Sequence, residues 1–365
     1  MALQSFSPKS TSLLGASARG LLQHQQQKSM GGGGVELGAA VACFTSIPII
    51  DIEPLVTTRL DVAHDIGNPK VINVVKEIDD ACKNVGFFYV KGHGVPPDLL
   101  DDVREVGREF FNLPREEKHQ IIMNSASGYR GYQKLGENIT KGIPDLHEAI
   151  DYFKDWNGRF PASMSGHPLL GQNKWPDKPL RFQPLLQEYL QVMQDLGKVI
   201  MQGVGLALNG SIGTFEGTRA GDPFWILRMI GYPPIPGQNI DGVGCGEHTD
   251  YGLLTLVNQD DNVRALQVKN QVGEWIWADP IPGTFVVNIG DMLKIWSNGI
   301  YQPTVHRVLN NESMYRVSVP FFYEPNFEAV VEPLQTCVKR SGGKSLYDPV
   351  VYGEHVTRKV LTNFG

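Results

Sequence analysis

The second half of this chain is broken into short apolar runs set between Gly, Pro and Asn turns, and that punctuation constrains the fold more than any other feature. The runs are Phe224 to Ile230, Leu253 to Val257, Ala265 to Val268, Phe285 to Ile289, Thr304 to Leu309 and Tyr315 to Tyr323. Strands this short, at this spacing, pair into an antiparallel sandwich or barrel. Helical period is concentrated upstream. Phe182 to Leu208 carries Leu185, Leu186, Tyr189, Leu190, Met193, Leu196, Ile200, Val204 and Leu208 on one stripe, which makes it the longest helix and a scaffold element. Val71 to Cys82, Leu99 to Phe111 and the segment opened by Pro114 read as further helices. Ile47 to Ile52, with Pro48 near its start, reads as an edge strand, and Phe87 to Val90 as a buried strand closed by Gly92-His93-Gly94. His93, alone between glycines, is expected to be a hydrogen-bonded structural residue. The upstream helices would cover one face of the sheet, so the class is α+β, mainly β.

With 365 residues, 41% of them hydrophobic, the chain can bury a sizeable core. Its net charge is -6 and it has no long basic run, which argues against a nucleic-acid partner and for a small-molecule one. Cys43, Cys82, Cys245 and Cys337 are scattered, as suits a reducing compartment. No apolar run approaches the length of a membrane span, so a soluble protein without a membrane partner is expected.

Residues 1–45 stand apart. They are rich in Ser, Gln, Gly and Ala, carry Lys9, Arg19 and Lys28, and have no acidic residue before Glu36. That is the composition of an organelle transit peptide and equally of a disordered tail. A cytoplasmic location is expected, with plastid or mitochondrion the alternative if the extension is a transit peptide. The remainder divides into an N-terminal region over 46–160, a connector and long helix over 161–217, a core over 218–330 and a C-terminal segment over 331–365.

The core carries the chemistry. In Gly246-Glu247-His248-Thr249-Asp250-Tyr251-Gly252-Leu253-Leu254, an extended backbone would point His248 and Asp250 the same way, giving half a metal site. His306, in the strand-like Thr304 to Val308, would supply a third ligand from another strand. Two imidazoles and one carboxylate on one face of an octahedron leave three positions open, the arrangement of non-haem Fe(II) oxygen chemistry. A structural zinc site, which favours cysteine and a closed shell, fits less well. Arg316-Val317-Ser318 follows on a strand, where a guanidinium fork and a hydroxyl on one face form a receptor for a carboxylate. Tyr232 offers a second hydroxyl to the same group. A double-stranded β-helix, or jelly roll, holds a metal between two sheets and is the natural architecture.

The set His248-X-Asp250, His306 and Arg316-X-Ser318 resembles the plant-type Fe(II) and 2-oxoglutarate-dependent dioxygenases, in the superfamily that also contains isopenicillin N synthase. The resemblance covers about Ser46 to Phe364, with Ile47 to Asp51 and Gly86 to Gly94 similar to the family's N-terminal region. Gly128-Tyr129-Arg130-Gly131-Tyr132-Gln133 and Leu253 to Asp260 resemble a plant group labelled only as probable 2-oxoglutarate-dependent dioxygenases. The family's flavonoid and hormone oxygenases commonly carry Asn-Tyr-Tyr-Pro where this chain has Ile230-Gly231-Tyr232-Pro233. Tyr232 matches the tyrosine that holds the cosubstrate, and Ile230 departs from the asparagine, which speaks against a flavonoid or gibberellin substrate.

The resemblance implies that His248, Asp250 and His306 hold Fe(II) and that Arg316, Ser318 and Tyr232 bind 2-oxoglutarate, with O2 as the oxidant and ascorbate supportive. It implies decarboxylation to succinate and CO2 coupled to hydroxylation or desaturation of a small organic metabolite. Phe322, Tyr129 and Tyr132 are candidate substrate-pocket residues, and Gly136 to His147 is a candidate pocket loop. Two alternatives stand beside this reading: an oxidase of the isopenicillin N synthase kind that uses no 2-oxoglutarate, and an inactive jelly roll that binds a small carboxylate. Neither the prime substrate nor the oligomeric state is legible from the residues.

Overall fold

The computed structural model describes residues 43–58, 67–155, 165–236 and 243–364. The expectation of a disordered or transit-like extension over 1–45 falls almost wholly outside these residues, as does part of the expected connector.

Two sheets face each other. The larger has eight strands in the order Ile49–Asp51, Phe87–Lys91, Phe285–Ile289, Leu254–Gln259, Arg316–Tyr323, Trp225–Tyr232, Glu148–Phe153 and Gly131–Gln133. The smaller has four, Trp275–Trp277, Leu266–Lys269, His306–Leu309 and Val243–His248. Pairing within both is antiparallel except where the edge strand Ile49–Asp51 runs parallel to Phe87–Lys91. This is a double-stranded β-helix with helices on one outer face.

Alternation along the strands sorts the interior into two cores. Val317, Val319 and Phe321 point from the large sheet to the helices, where they join Val103, Phe110, Leu186, Met193 and Ile200. Tyr232, Ile230, Phe87 and Val286 point the other way, to meet Leu266, Val268 and Val308 of the small sheet. The helix Phe182–Ala207 crosses the back of the large sheet and buries one stripe. Gly197 lies inside it at a cost of about 1 kcal/mol relative to alanine. The glycine is required by packing, because a Cβ there would run into the ring of Tyr323.

The helices Pro69–Asn84 and Pro97–Phe111 extend slightly beyond their apolar stripes, while the segment after Pro114 forms only the short Arg115–His119. Strands also fall where none was expected, two of them in the large sheet. Glu148–Phe153 and Gly131–Gln133 extend the large sheet. Their inward positions include Asp151 and Gln133, so the apolar alternation that marks a buried strand is missing; Arg228, directly across from Asp151, takes up the charge with its Nε 3.3 Å from Oδ1. His93 is structural: its Nδ1 accepts from the Val95 amide at 3.1 Å, its Nε2 lies 3.1 Å from the Gly283 carbonyl, and its ring meets Phe285 edge-on.

Candidate active site

His248 and His306 reach the same point from paired strands. His248 ends the strand Val243–His248, His306 begins His306–Leu309, and the two residues are register partners with ring centroids 4.3 Å apart. Asp250 is not on that strand, which corrects the expectation that the two ligands share one extended face. The strand stops at His248, and the chain crosses through a turn to the large sheet, where Leu254–Gln259 begins. The turn is pinned because the Asp291 amide donates to the Asp250 carbonyl at 2.9 Å. Asp250 Oδ1 then lies 3.5 Å from His248 Nε2 and 3.6 Å from His306 Nε2, and the three potential ligand atoms are all within 4.8 Å of one another.

Surrounding groups orient each ligand. The Nδ1 of His248 lies 2.7 Å from the Gly246 carbonyl and that of His306 3.1 Å from the Thr304 carbonyl. A carbonyl can only accept, so both Nδ1 atoms donate and both Nε2 atoms face the carboxylate. Asp250 Oδ2 accepts from Thr255 Oγ1 and from Asn288 Nδ2, the latter at 2.7 Å, leaving Oδ1 to the site. Burial and the neighbouring His248 push His306 down to about 4, so its imidazole is neutral at physiological pH. Burial alone would raise Asp250, but the His306 and His248 imidazoles and the Asn288 amide hold it well below the usual carboxylate range. Burial alone would lower His248, but Cys245 and Asp250 hold it well above the usual imidazole range. A divalent ion would take the place of its Nε2 proton, beside the His306 imidazole and the anionic Asp250 oxygen.

A cavity beside these ligands runs to Arg316, Ser318 and Tyr232. Arg316 is fully buried, and only Nη2 is satisfied within the protein, by Gln259 Oε1 at 2.8 Å. Its Nε and Nη1 have no partner among the described residues. The guanidinium lies 5.1 Å from the ring centre of Tyr232, its register partner, and Ser318 shares its face one pleat along. A buried cation with open donors needs an anion. A short dicarboxylate that chelates a metal at one end and meets Arg316 at the other fits both observations.

The comparisons agree. Residues 223–325 match the model of the 2OG-Fe(II) oxygenase superfamily, and residues 47–178 that of the non-haem dioxygenase in morphine synthesis N-terminal region. The chain belongs to the 2OG-Fe(II) oxygenase superfamily. It is 56% identical to homoarginine-6-hydroxylase 2-ODD-233 of Oryza sativa subsp. japonica over 88% of this chain and 98% of that protein, and 56% identical, over the same shares, to homoarginine-6-hydroxylase 2-ODD-C23 of Glycine max. Among solved structures it resembles JOX2 in complex with 2OG, Fe and JA, with 31% identity, a TM-score of 0.70 and coverage of 87% of this chain and 85% of that one. This protein is therefore an oxidoreductase, a dioxygenase that uses Fe(II) and 2-oxoglutarate.

The dioxygenase has a second cavity that is also lined by the metal ligands His248 and Asp250. Arg228, Cys245, His248, Asp250 and Phe322 line both spaces. The Gly136 to His147 loop contributes Asn138, Thr140 and Lys141 to the outer wall, and the C-terminal helix Tyr352–Phe364 contributes Val356, Lys359 and Val360. Tyr129 and Tyr132 line neither cavity. Both pack on the helix side of the large sheet, where the Tyr132 hydroxyl donates to Glu148 Oε2 at 2.6 Å. The pleat explains this correction: Gln133, one residue on, is the side chain that faces inward and bonds Asp151.

Several residues of this oxygenase's site carried no sequence signal. Thr255 and Asn288 orient Asp250 from two other strands. Arg228 donates from Nη2 to Gln133 Oε1 at 2.9 Å and reaches His147 Nε2 at 3.2 Å; burial, and then this cation, press His147 down to about 3. Glu324 lines the second cavity and is buried, and burial raises its carboxyl to about 8, against a favourable interaction with Tyr352 and with the further push of Asp250 and Asp291.

Proposed function

We propose that this dioxygenase hydroxylates a guanidino amino acid of the homoarginine type. The observation that carries this reading is the second cavity: beside the metal ligands it presents the buried carboxylates Asp151 and Glu324, the cation Arg228 and the apolar Ile226 and Phe322, a lining suited to a long amino acid with charges at both ends. The identity to two homoarginine-6-hydroxylases across nearly their whole length supports it.

In this reading His248, Asp250 and His306 hold the iron, and Arg316, Ser318 and Tyr232 grip the distal carboxylate of 2-oxoglutarate. When bound, the iron with 2-oxoglutarate and O2 supplies the oxidising power, and succinate and CO2 leave as coproducts. The chain's own residues do the positioning. Thr255 and Asn288 fix the carboxylate of Asp250, and backbone carbonyls fix both imidazoles. Phe322, which lines both spaces, would pack against the substrate beside the metal. Helix Tyr352–Phe364 closes the outer side against water.

The test is succinate formation by the purified full chain with Fe(II), ascorbate and 2-oxoglutarate. L-homoarginine is expected to raise succinate well above the background without prime substrate, and L-lysine to raise it less. No rise with homoarginine, alongside a rise with an unrelated metabolite, would overturn the substrate assignment.

A further inference from the structure

We propose that Glu324 is the receptor for the cationic end of the substrate, and that its carboxylate pairs with the guanidinium beside the reacting carbon. This rests on the reading of the substrate as a guanidino amino acid.

The position follows from the strand Arg316–Tyr323. Arg316, Ser318 and Phe322 alternate onto its inner face, and Glu324 is next in the same parity, held in sheet register by its amide, which donates to the Phe224 carbonyl at 3.0 Å. One strand face thus carries an anion receptor at one end and an acid at the other, with Phe322 between them. The carboxylate lies against Gly252, two residues past the ligand Asp250; a Cβ at Gly252 would collide with it. The glycine makes the space in which an acid can sit against the metal-binding turn.

Its electrostatic situation sets it apart from the other acids of the cavity. Asp151 is matched by Arg228 and Gln133, and the half-exposed Glu247 lies 3.5 Å from Lys269. Glu324 is 2% exposed, its Oε2 has no hydrogen-bond partner among the described residues, and no Lys, Arg or His described here lies within ion-pair distance of it. A planar guanidinium matches a carboxylate through two parallel N–H···O bonds and supplies the missing charge. A purely structural role, as a bond to Tyr352 that anchors the C-terminal helix, would be met equally well by glutamine.

The experiment uses the full-length protein with Fe(II) and 2-oxoglutarate under anaerobic conditions, titrated calorimetrically with butylguanidine and with its neutral isostere butylurea. Wild type is expected to favour butylguanidine by about 10- to 100-fold, the scale of one charge-assisted pair. Glu324→Gln removes that preference while keeping its affinity for butylurea and for 2-oxoglutarate, and Glu324→Asp retains part of the preference. The inference is overturned if wild type shows no preference, if the Gln variant keeps it, or if that variant loses both ligands and 2-oxoglutarate alike. Should wild type bind butylguanidine through Glu324 yet make no succinate with homoarginine, the subsite stands and the substrate reading falls. Should homoarginine be turned over with the same KM by wild type and Glu324→Gln, the substrate reading stands and the role of Glu324 falls.

Discussion

Arg316 is the register partner of Tyr232 on the neighbouring strand, with its guanidinium 5.1 Å from the phenol ring and two of its three nitrogens without a hydrogen-bond partner among the described residues, in a fully buried position. The chain holds a cation out of water at a place where only a ligand completes it. Replacing Arg316 with methionine therefore separates binding from stability. The KM for 2-oxoglutarate is expected to rise about 30-fold or more, the scale of losing one partner of a buried charge pair. The cofactor-free variant should melt no lower than wild type, because an unpaired buried charge has been removed. Steady-state kinetics and thermal unfolding check the two halves.

Asn288 and Thr255 both spend a hydrogen bond on Asp250 Oδ2, so Oδ1 alone turns to the imidazoles. Asn288→Ala frees that carboxylate to rotate and leaves it less well solvated. Fe(II) affinity is expected to fall about 10- to 100-fold, as for other groups that orient a metal ligand. Anaerobic calorimetry with Fe(II) measures it, and near-normal turnover at saturating iron should remain.

Gly197 lies where the long helix presses on Tyr323, the last residue of the strand that carries Arg316 and Ser318. Gly197→Val is expected to cost about 1–3 kcal/mol through overpacking, even though valine is the better helix former. Chemical denaturation gives the value, and a lowered KM for 2-oxoglutarate is not expected.

Glu324 links pH to stability in the metal-free protein. Its folded pKa, raised by burial to about 8, exceeds the value near 4.5 of an exposed glutamate. The folded state thus prefers the protonated acid, and stability is lost as pH rises from the unfolded value toward the folded one. Glu324→Gln removes this loss. Relative to wild type the variant should gain about 1.4 kcal/mol per pH unit across that window at most, read as a difference in melting temperature that widens from pH 5 to pH 8. A constant difference across the window contradicts the assignment.

How much of this was legible in the sequence depends on whether a signal is local. Arg316 and Ser318 are two apart on one strand, and the pleat alone puts them on one face. His248 and Asp250 come together for a different reason than strand alternation suggests, since a turn pinned by Asp291 delivers Asp250 after the strand has ended. The jelly-roll architecture was readable from the spacing of short runs, whereas the strand Glu148–Phe153 was hidden because its inward Asp151 needs Arg228 from a distant strand to make sense. Tyr129 and Tyr132 illustrate the same limit. Glycine and aromatic alternation identifies a turn and a strand, and only register tells which side of the sheet the rings occupy.

The central claim is that His248, Asp250 and His306 form one iron site that drives 2-oxoglutarate turnover, and Asp250→Ala tests it most directly. With Fe(II), 2-oxoglutarate and the best prime substrate, oxygen uptake by the variant is predicted to fall to the rate without protein, together with loss of measurable Fe(II) binding. An Asp250→Ala protein that consumes oxygen at the wild-type rate in a 2-oxoglutarate-dependent manner would contradict the account.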